Sequence, residues 1–136
     1  FLLLSAKLKA YMRGLPASKN IQNDNTRYSI PQVALIQYYL IVGGHVEYRE
    51  IKDGPRADAI IKKFGWSSGK ALAADFDKAS KSDRVKLSHS KRSDNQRLKN
   101  FRACIEYLGN NGFDRALSHA KSDMQIFEKE YNRLYS

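Results

Sequence analysis

Few side chains in this chain of 136 residues have the types and spacing that catalysis or metal binding requires. The three histidines, His45, His89 and His119, are scattered, and none belongs to an H-E-x-x-H motif or to a Cys/His cluster that would hold zinc. His119 and Asp123 have the i,i+4 spacing of a ligand pair, although such pairs are more often surface hydrogen bonds. We therefore predict no catalytic residue, no metal and no cofactor, and we do not expect an enzyme.

The basic residues give the strongest chemical signal. The chain has 24 Lys and Arg against 14 Asp and Glu, a formal net charge of +10 and a pI near 9.8. Between residues 80 and 102 there are eight basic residues and two acidic ones. Such a balance predicts an anionic partner, and nucleic acid, an acidic membrane surface and an acidic protein all qualify. The sequence contains no run of about 20 apolar residues, so we expect a soluble protein without a membrane span.

The segment KKFGWSSGKAL, residues 62–72, combines a glycine, two serines and a lysine between two amphipathic stretches. A helix-turn-helix needs a tight turn, followed by a helix that offers short polar and basic side chains to the major groove. The alternative is that two ordinary helices meet at a glycine C-cap. Asp75 and Asp77 favour that alternative, because phosphate would repel them.

In the DNA-binding interpretation the candidates fall into two groups. The candidates for contacts with base edges are Ser67, Ser68, Lys70, Ala71 and Ala74. The candidates for contacts with phosphate are Lys62, Lys63, Lys78, Arg84, Lys86, Lys91 and Arg92. A serine cap is also expected to leave backbone N–H groups of the second helix free to meet a phosphate. The other interpretation of the charge run is a solvated, poorly ordered connection.

Periodicity and punctuation predict the elements that would position these residues. Ser29 and Pro31 predict the start of a central buried helix that ends at Gly43 and Gly44. Further helices are predicted from residue 55 to 64, from 67 to 80, from 93 to 108, and after the turn at residues 109–112. The last two are long and joined by a short connection, so we expect an antiparallel helical hairpin. Alternating apolar residues predict short strands within residues 45–51 and 84–89.

These elements define the expected fold and its parts. The fold class is mainly α, with a winged-helix-like helix-turn-helix body over residues 30–91 and a helical hairpin over residues 92–136, together one domain. Residues 1–29 are predicted to form a short N-terminal helix and a linker. The single cysteine, Cys104, shares a helix face with apolar residues and predicts a buried thiol in a reducing, cytoplasmic compartment. A first residue other than Met is expected of a fragment or a processed product.

The residues also resemble a known family. The run I-x-K-K-F-G-W-S-S-G-K-A-L-x-x-D-F, then S-K-S-D-R, a basic stretch and F-x-x-C-I-E-Y-L resemble an uncharacterised C-terminal helical domain of Bacteroidetes mobile-element proteins, including regulators of the RteC type. The resemblance covers roughly residues 30–135, and Gly65, Ser68, Gly69, Leu72 and Phe76 carry it. This chain lacks the fuller wing-like loop expected between Ser80 and Lys91. The resemblance implies a helical DNA-associated or regulatory module, with no known catalytic residues to carry over.

Two functions remain open at this point. The first is a DNA-binding regulatory domain of a transcriptional regulator or mobile-element protein, with double-stranded DNA as partner. The second is a protein-interaction module that dimerises through the C-terminal helices, because residues 103–136 carry a net charge of −1 and several tyrosines. Trp66 is expected either to fill the gap between two helices or to contact a partner.

Overall fold

The computed structural model describes residues 28–47 and 49–136, and these residues form a mainly helical body without strands. The helices are α1 (Ile30–Val42), α2 (Arg49–Lys52), α3 (Gly54–Lys63), α4 (Gly69–Ala79), a 3-10 helix (Ser82–Val85), α5 (Lys91–Asn110) and α6 (Asp114–Tyr135). The mainly α fold class is thereby confirmed. The predicted N-terminal helix and most of its linker, residues 1–27, lie outside the described residues.

Helix α1 is the centre of the body. Ser29 and Gln32 form a capping box, in which the Ser29 hydroxyl accepts from the Gln32 N–H and the Gln32 side chain accepts from the Ser29 N–H. Apolar side chains surround the helix, with Val33, Ile36 and Tyr39 at 0% exposure. α1 packs against α4, α5 and α6, so it holds the remaining helices together.

Helices α5 and α6 lie side by side after the turn at residues 111–113. Phe101 in the middle of α5 stacks near Phe127 of α6, with ring centroids 5.6 Å apart. At the other end of the pair, the Tyr135 hydroxyl donates to Asp94 at 2.7 Å. The start of α5 therefore meets the end of α6, and the two helices run in opposite directions.

The start of α5 differs from the sequence prediction. The sequence predicts a helix from residue 93, whereas α5 begins at Lys91 after an N-cap at Ser90, whose hydroxyl accepts from the Ser93 N–H at 3.4 Å. Lys91 and Arg92 consequently lie in the first helical turn and not in a joint before it.

The two predicted strands are wrong. After α1 the N–H groups of His45 and Val46 both bond to the Leu40 carbonyl, at 2.8 and 3.3 Å, which closes the helix end. Ile51 is 1% exposed within the short helix α2, and Val85 ends the 3-10 helix. Neither segment meets a partner strand, so the backbone satisfies its hydrogen bonds locally instead. The described residues accordingly contain no strand-built wing.

Candidate nucleic-acid interface

The joint between α3 and α4 is a tight, glycine-dependent turn. Gly65 has φ +84°, in the left-handed region that favours glycine, and its N–H bonds to the Lys62 carbonyl at 3.0 Å. The Trp66 N–H returns to the Ile61 carbonyl at 3.2 Å. The Trp66 indole donates to the Tyr28 carbonyl at 2.7 Å, which ties the turn to the residues before α1. Trp66 therefore anchors the turn, and 36% of the Trp66 surface remains exposed.

A close helix-to-helix contact, which sequence reasoning missed, sets how α4 meets α3. The Gly69 N–H donates to the Asp58 carboxylate at 2.9 Å. A Cβ atom added at Gly69 would lie 2.6 Å from the Asp58 backbone nitrogen and 2.9 Å from the Ala57 carbonyl carbon. Glycine is thus the residue that lets α4 begin directly against α3. The available signal was the pairing of Gly69 with the small Ala57 twelve positions earlier.

The predicted open N–H groups at the start of α4 are not all open. The Ser68 hydroxyl accepts from the Ala71 N–H at 3.1 Å, and the Asp58 carboxylate accepts from the Gly69 N–H. A carboxylate at this helix end already satisfies the positive end of the helix dipole. Two of the N–H groups that were expected to be free for a phosphate are therefore occupied, which leaves side chains as the main candidates for contacts with an anion.

The exposed face of α4 gathers most of the predicted base-contact residues. Lys70, Ala74 and Lys78 follow one another at one-turn spacing and are all exposed. Ser67 and Ser68 are exposed just before the helix, whereas Ala71 is half-buried. The opposite face carries Gly69, Leu72 and Phe76, which are buried against the body. We call residues 67, 68, 70, 74 and 78 the α4 face.

The acidic residues that counted against DNA binding are engaged in ion pairs. Asp77 pairs with Lys52 of α2. Asp75 lies 3.9 Å from the Lys78 ammonium, in an i,i+3 pair on α4 itself. Neither carboxylate stands without a cation, although exposed pairs of this kind contribute at most about 1 kcal/mol.

Six of the seven predicted phosphate-contact residues are exposed. Lys62 and Lys63 occupy the last turn of α3, next to the joint. The side chain of Lys78 is 81% exposed and that of Lys86 is 69% exposed, the latter 3.6 Å from Asp83. Lys91 and Arg92 lie in the first turn of α5. Lys62 and Lys63 therefore lie at the α3–α4 joint, Lys78 lies in the last turn of α4, and the other three cations lie before and at the start of α5.

Arg84 is placed differently from the other predicted phosphate contacts. Its side chain is 19% exposed, and its Nε donates to the Asp123 carboxylate at 3.0 Å. The Tyr39 hydroxyl donates to the same oxygen at 2.6 Å, and the guanidinium lies 4.4 Å from the Tyr38 ring centroid. Burial, together with the neighbouring Asp123, raises the pKa of Tyr39 well above its usual value. Arg84 thus stabilises the junction of the 3-10 helix with α1 and α6, and Asp123 pairs with Arg84 instead of acting with His119.

Asp94 forms a second buried network, which the sequence did not reveal. Its carboxylate is fully buried and accepts from the Ser88 N–H and hydroxyl, both at 2.8 Å, and from Tyr135. Arg97 lies 3.7 Å from Asp94 and donates to backbone carbonyls of residues 83, 84 and 86. Burial raises the pKa of Asp94, but the hydrogen bonds from Tyr135 and Ser88 and the Arg97 charge outweigh that effect and hold the pKa below its usual range. The basic segment before α5 is therefore anchored by side-chain hydrogen bonds and not loosely solvated.

Three further features of the described residues are the cysteine thiol, metal binding and membrane crossing. Cys104 is fully buried, as predicted, and burial raises the pKa of its thiol. Within residues 28–47 and 49–136, no group of three or more His, Cys, Asp or Glu side chains is arranged to hold a metal ion. Across the same part of the chain, no helix combines the length and the apolar character needed to cross a bilayer.

Comparisons with family models, with curated proteins and with solved structures found no match to this chain.

Proposed function

We propose that this chain is a DNA-binding regulatory module in which α3 and α4 form a helix-turn-helix and α4 enters the major groove of double-stranded DNA. The observation that carries the proposal is the α4 face. It presents Ser67, Ser68, Lys70, Ala74 and Lys78 on the exposed side of a helix whose other side is buried on α1.

The chemistry of this face suits base edges. Serine hydroxyls and lysine ammonium groups donate to the acceptors of guanine and adenine in the major groove. The small Ala74 lets the helix approach closely, and its methyl group suits contact with thymine methyl groups. Leu72 and Phe76, at 0% and 1% exposure, fix the rotation of α4 so that the same face stays outward.

Side chains beside α4 supply the sequence-independent part of the affinity. Lys62 and Lys63 are positioned to contact phosphate on one side of the groove, and Lys86, Lys91 and Arg92 provide further cations. Arg84 is left out of this group because its guanidinium is occupied by Asp123. The resemblance to mobile-element regulators and the buried Cys104 thiol support a cytoplasmic regulator of transcription or of mobile-element transfer.

The test is fluorescence anisotropy with labelled duplex DNA at several salt concentrations. The variant Lys62→Ala/Lys63→Ala/Lys70→Ala removes three cations at the α3–α4 joint, none of which forms an ion pair or an N-cap within the described residues. Each lost phosphate contact lowers the magnitude of the slope of log K against log salt by about 0.9, so we expect the loss of Lys62 and Lys63 to lower it by about 1.8. The loss of the base contact Lys70 should weaken the affinity further. Circular dichroism of the variant should match that of the wild-type protein.

The control carries the same change of charge at another place. Lys99→Ala/Lys121→Ala/Lys129→Ala removes three exposed lysines of α5 and α6. We expect this variant to keep a nearly wild-type slope, because the contacts are local. Equal losses in both variants would show a non-specific effect of net charge, and no binding by the wild type at about 50 mM salt would refute the proposal.

A second candidate function rests on α6. Ile126 is 51% exposed and Leu134 is 40% exposed on this helix, so two large apolar side chains of α6 face solvent. In this proposal the α5–α6 hairpin mediates self-association or binding of a partner protein, with or without DNA binding. Sedimentation velocity over a range of concentrations tests it. A dimer that Ile126→Glu dissociates would support the proposal, and a monomer at all concentrations would refute self-association.

A further inference from the structure

A pocket of about 290 Å³ opens where α1, α4, the 3-10 helix and α5 converge. Pro31 and Leu35 of α1 line it, together with Ala79 of α4 and Phe101 of α5. Leu35 and Phe101 are 7% and 2% exposed, so they belong to the core and form a firm apolar wall. The volume lies at the lower end of the range for small-molecule sites, where binding relies on such apolar walls and a few polar groups.

Every charged side chain that lines this pocket has an opposite charge beside it. On the cationic side, Arg84 pairs with Asp123 at 3.0 Å and Arg97 with Asp94 at 3.7 Å. The remaining lining charges are two carboxylates and a lysine, paired as Asp75 with Lys78 at 3.9 Å and Asp83 with Lys86 at 3.6 Å. A charged ligand would therefore lose water without gaining a free counter-charge, and it would face a like charge in the lining.

One polar group of the lining is left as a donor. The Asn100 side-chain oxygen accepts from Gln32 at 3.1 Å and from Gln96 at 3.0 Å. These two bonds orient the amide, and within the described residues no acceptor takes a hydrogen bond from its amino group. The pocket thus offers an apolar wall and a hydrogen-bond donor in its lining.

We infer that this pocket binds an uncharged organic molecule of the size of a single substituted ring, with a carbonyl-type oxygen that accepts from Asn100. The inference does not depend on DNA binding. It adds a ligand site whose occupant would touch the C-terminal half of α4 as well as α1 and α5.

Three probes with the same ring and different charges test the inference: phenylacetamide, phenylacetate and 2-phenylethylammonium. In ¹H–¹⁵N correlation spectra of the wild-type protein we expect phenylacetamide to shift the Leu35, Ala79 and Asn100 signals saturably, with a dissociation constant on the order of 1 mM. The two charged probes should bind at least about tenfold more weakly. Tighter binding of either charged probe, or no saturable shift at about ten times that concentration, would overturn the inference.

Variants of α4 locate the site. Ala79→Leu fills the pocket and should abolish the phenylacetamide shifts, whereas Ala74→Leu places the same side chain on the exposed face and should leave them unchanged. Retained affinity in a folded Ala79→Leu protein would place the probe elsewhere and overturn the assignment. The titrations of the wild-type protein with the three probes test the inference even if the Ala79→Leu variant does not fold.

Discussion

Replacing Gly69 by alanine should separate α4 from α3. The new Cβ would lie 2.6 Å from the Asp58 backbone nitrogen and 2.9 Å from the Ala57 carbonyl carbon, and neither backbone atom can turn aside as a side chain can. An ordinary carbon contact is about 3.5 to 4.0 Å, so α4 has to move by about 1 Å. The same shift stretches the 2.9 Å hydrogen bond from Gly69 to the Asp58 carboxylate.

The cost follows from these two effects. Overpacking of this kind costs about 1–3 kcal/mol, and weakening a charge-assisted hydrogen bond costs about 1–2 kcal/mol more. Alanine returns up to about 1 kcal/mol by restricting the unfolded chain. We therefore expect Gly69→Ala to lower the free energy of unfolding by about 1–5 kcal/mol, compared with the 5–15 kcal/mol typical of a domain.

Gly54→Ala is a closely matched control. Gly54 is the first residue of α3, as Gly69 is of α4, and both follow an N-cap side chain. Within the described residues no atom lies within 4 Å of a Cβ added at Gly54. This variant should stay within about 1 kcal/mol of the wild type, because the entropic gain from alanine is offset by the cost of a Cβ in a helical residue that precedes Pro55.

Urea unfolding followed by far-ultraviolet circular dichroism measures both variants. The midpoint should fall for Gly69→Ala with an unchanged m value, since the surface exposed on unfolding stays the same. If the two variants differ by less than about 0.5 kcal/mol, the proposed contact does not limit the approach of α4 to α3, and our account of this joint is wrong.

Three further predictions concern the buried polar groups. Asp94→Asn should lower the free energy of unfolding by about 2 kcal/mol at pH 7. Because the folded pKa of Asp94 is lowered, its stabilisation is present above the ordinary aspartate pKa of about 4 and is lost as pH falls through the folded pKa. In urea unfolding the difference in stability between wild type and variant should therefore be smaller at pH 3 than at pH 7, and an equal difference at both pH values would contradict the prediction. Arg84→Ala should lower the free energy of unfolding by about 2–3 kcal/mol, because Asp123 then loses its cation in a largely buried place. Lys86→Ala removes one member of an exposed ion pair and should change the stability by no more than about 0.5 kcal/mol. Similar losses of stability for the two variants in thermal unfolding would refute this distinction. The Cys104 thiol should react with a disulfide reagent at least about a hundredfold more slowly in the native protein than in urea, and comparable rates would show that the thiol is accessible.

The amino-acid sequence by itself determined most of the helices and their limits. Ser29, Gln32 and Pro31 act within one helical turn, and the apolar residues of α1 recur at helical spacing, so local chemistry was enough to place that helix. Gly65 was likewise recognisable, because a left-handed turn between two amphipathic stretches favours glycine whatever surrounds it. The burial of Cys104 followed from its apolar helix face.

Only the tertiary structure decided the parts that depend on distant partners. The alternating apolar residues around Val46 and Val85 are compatible with strands, but a strand requires a neighbouring strand to bond with. In the structure the Val46 N–H bonds to the end of α1 instead, and Val85 lies in the 3-10 helix. Asp94 and Arg84 looked like members of a polar surface run. Their partners Tyr135 and Asp123 lie 41 and 39 positions away, so the separation of buried, paired charges from exposed cations arises only when α6 packs against α5 and the 3-10 helix.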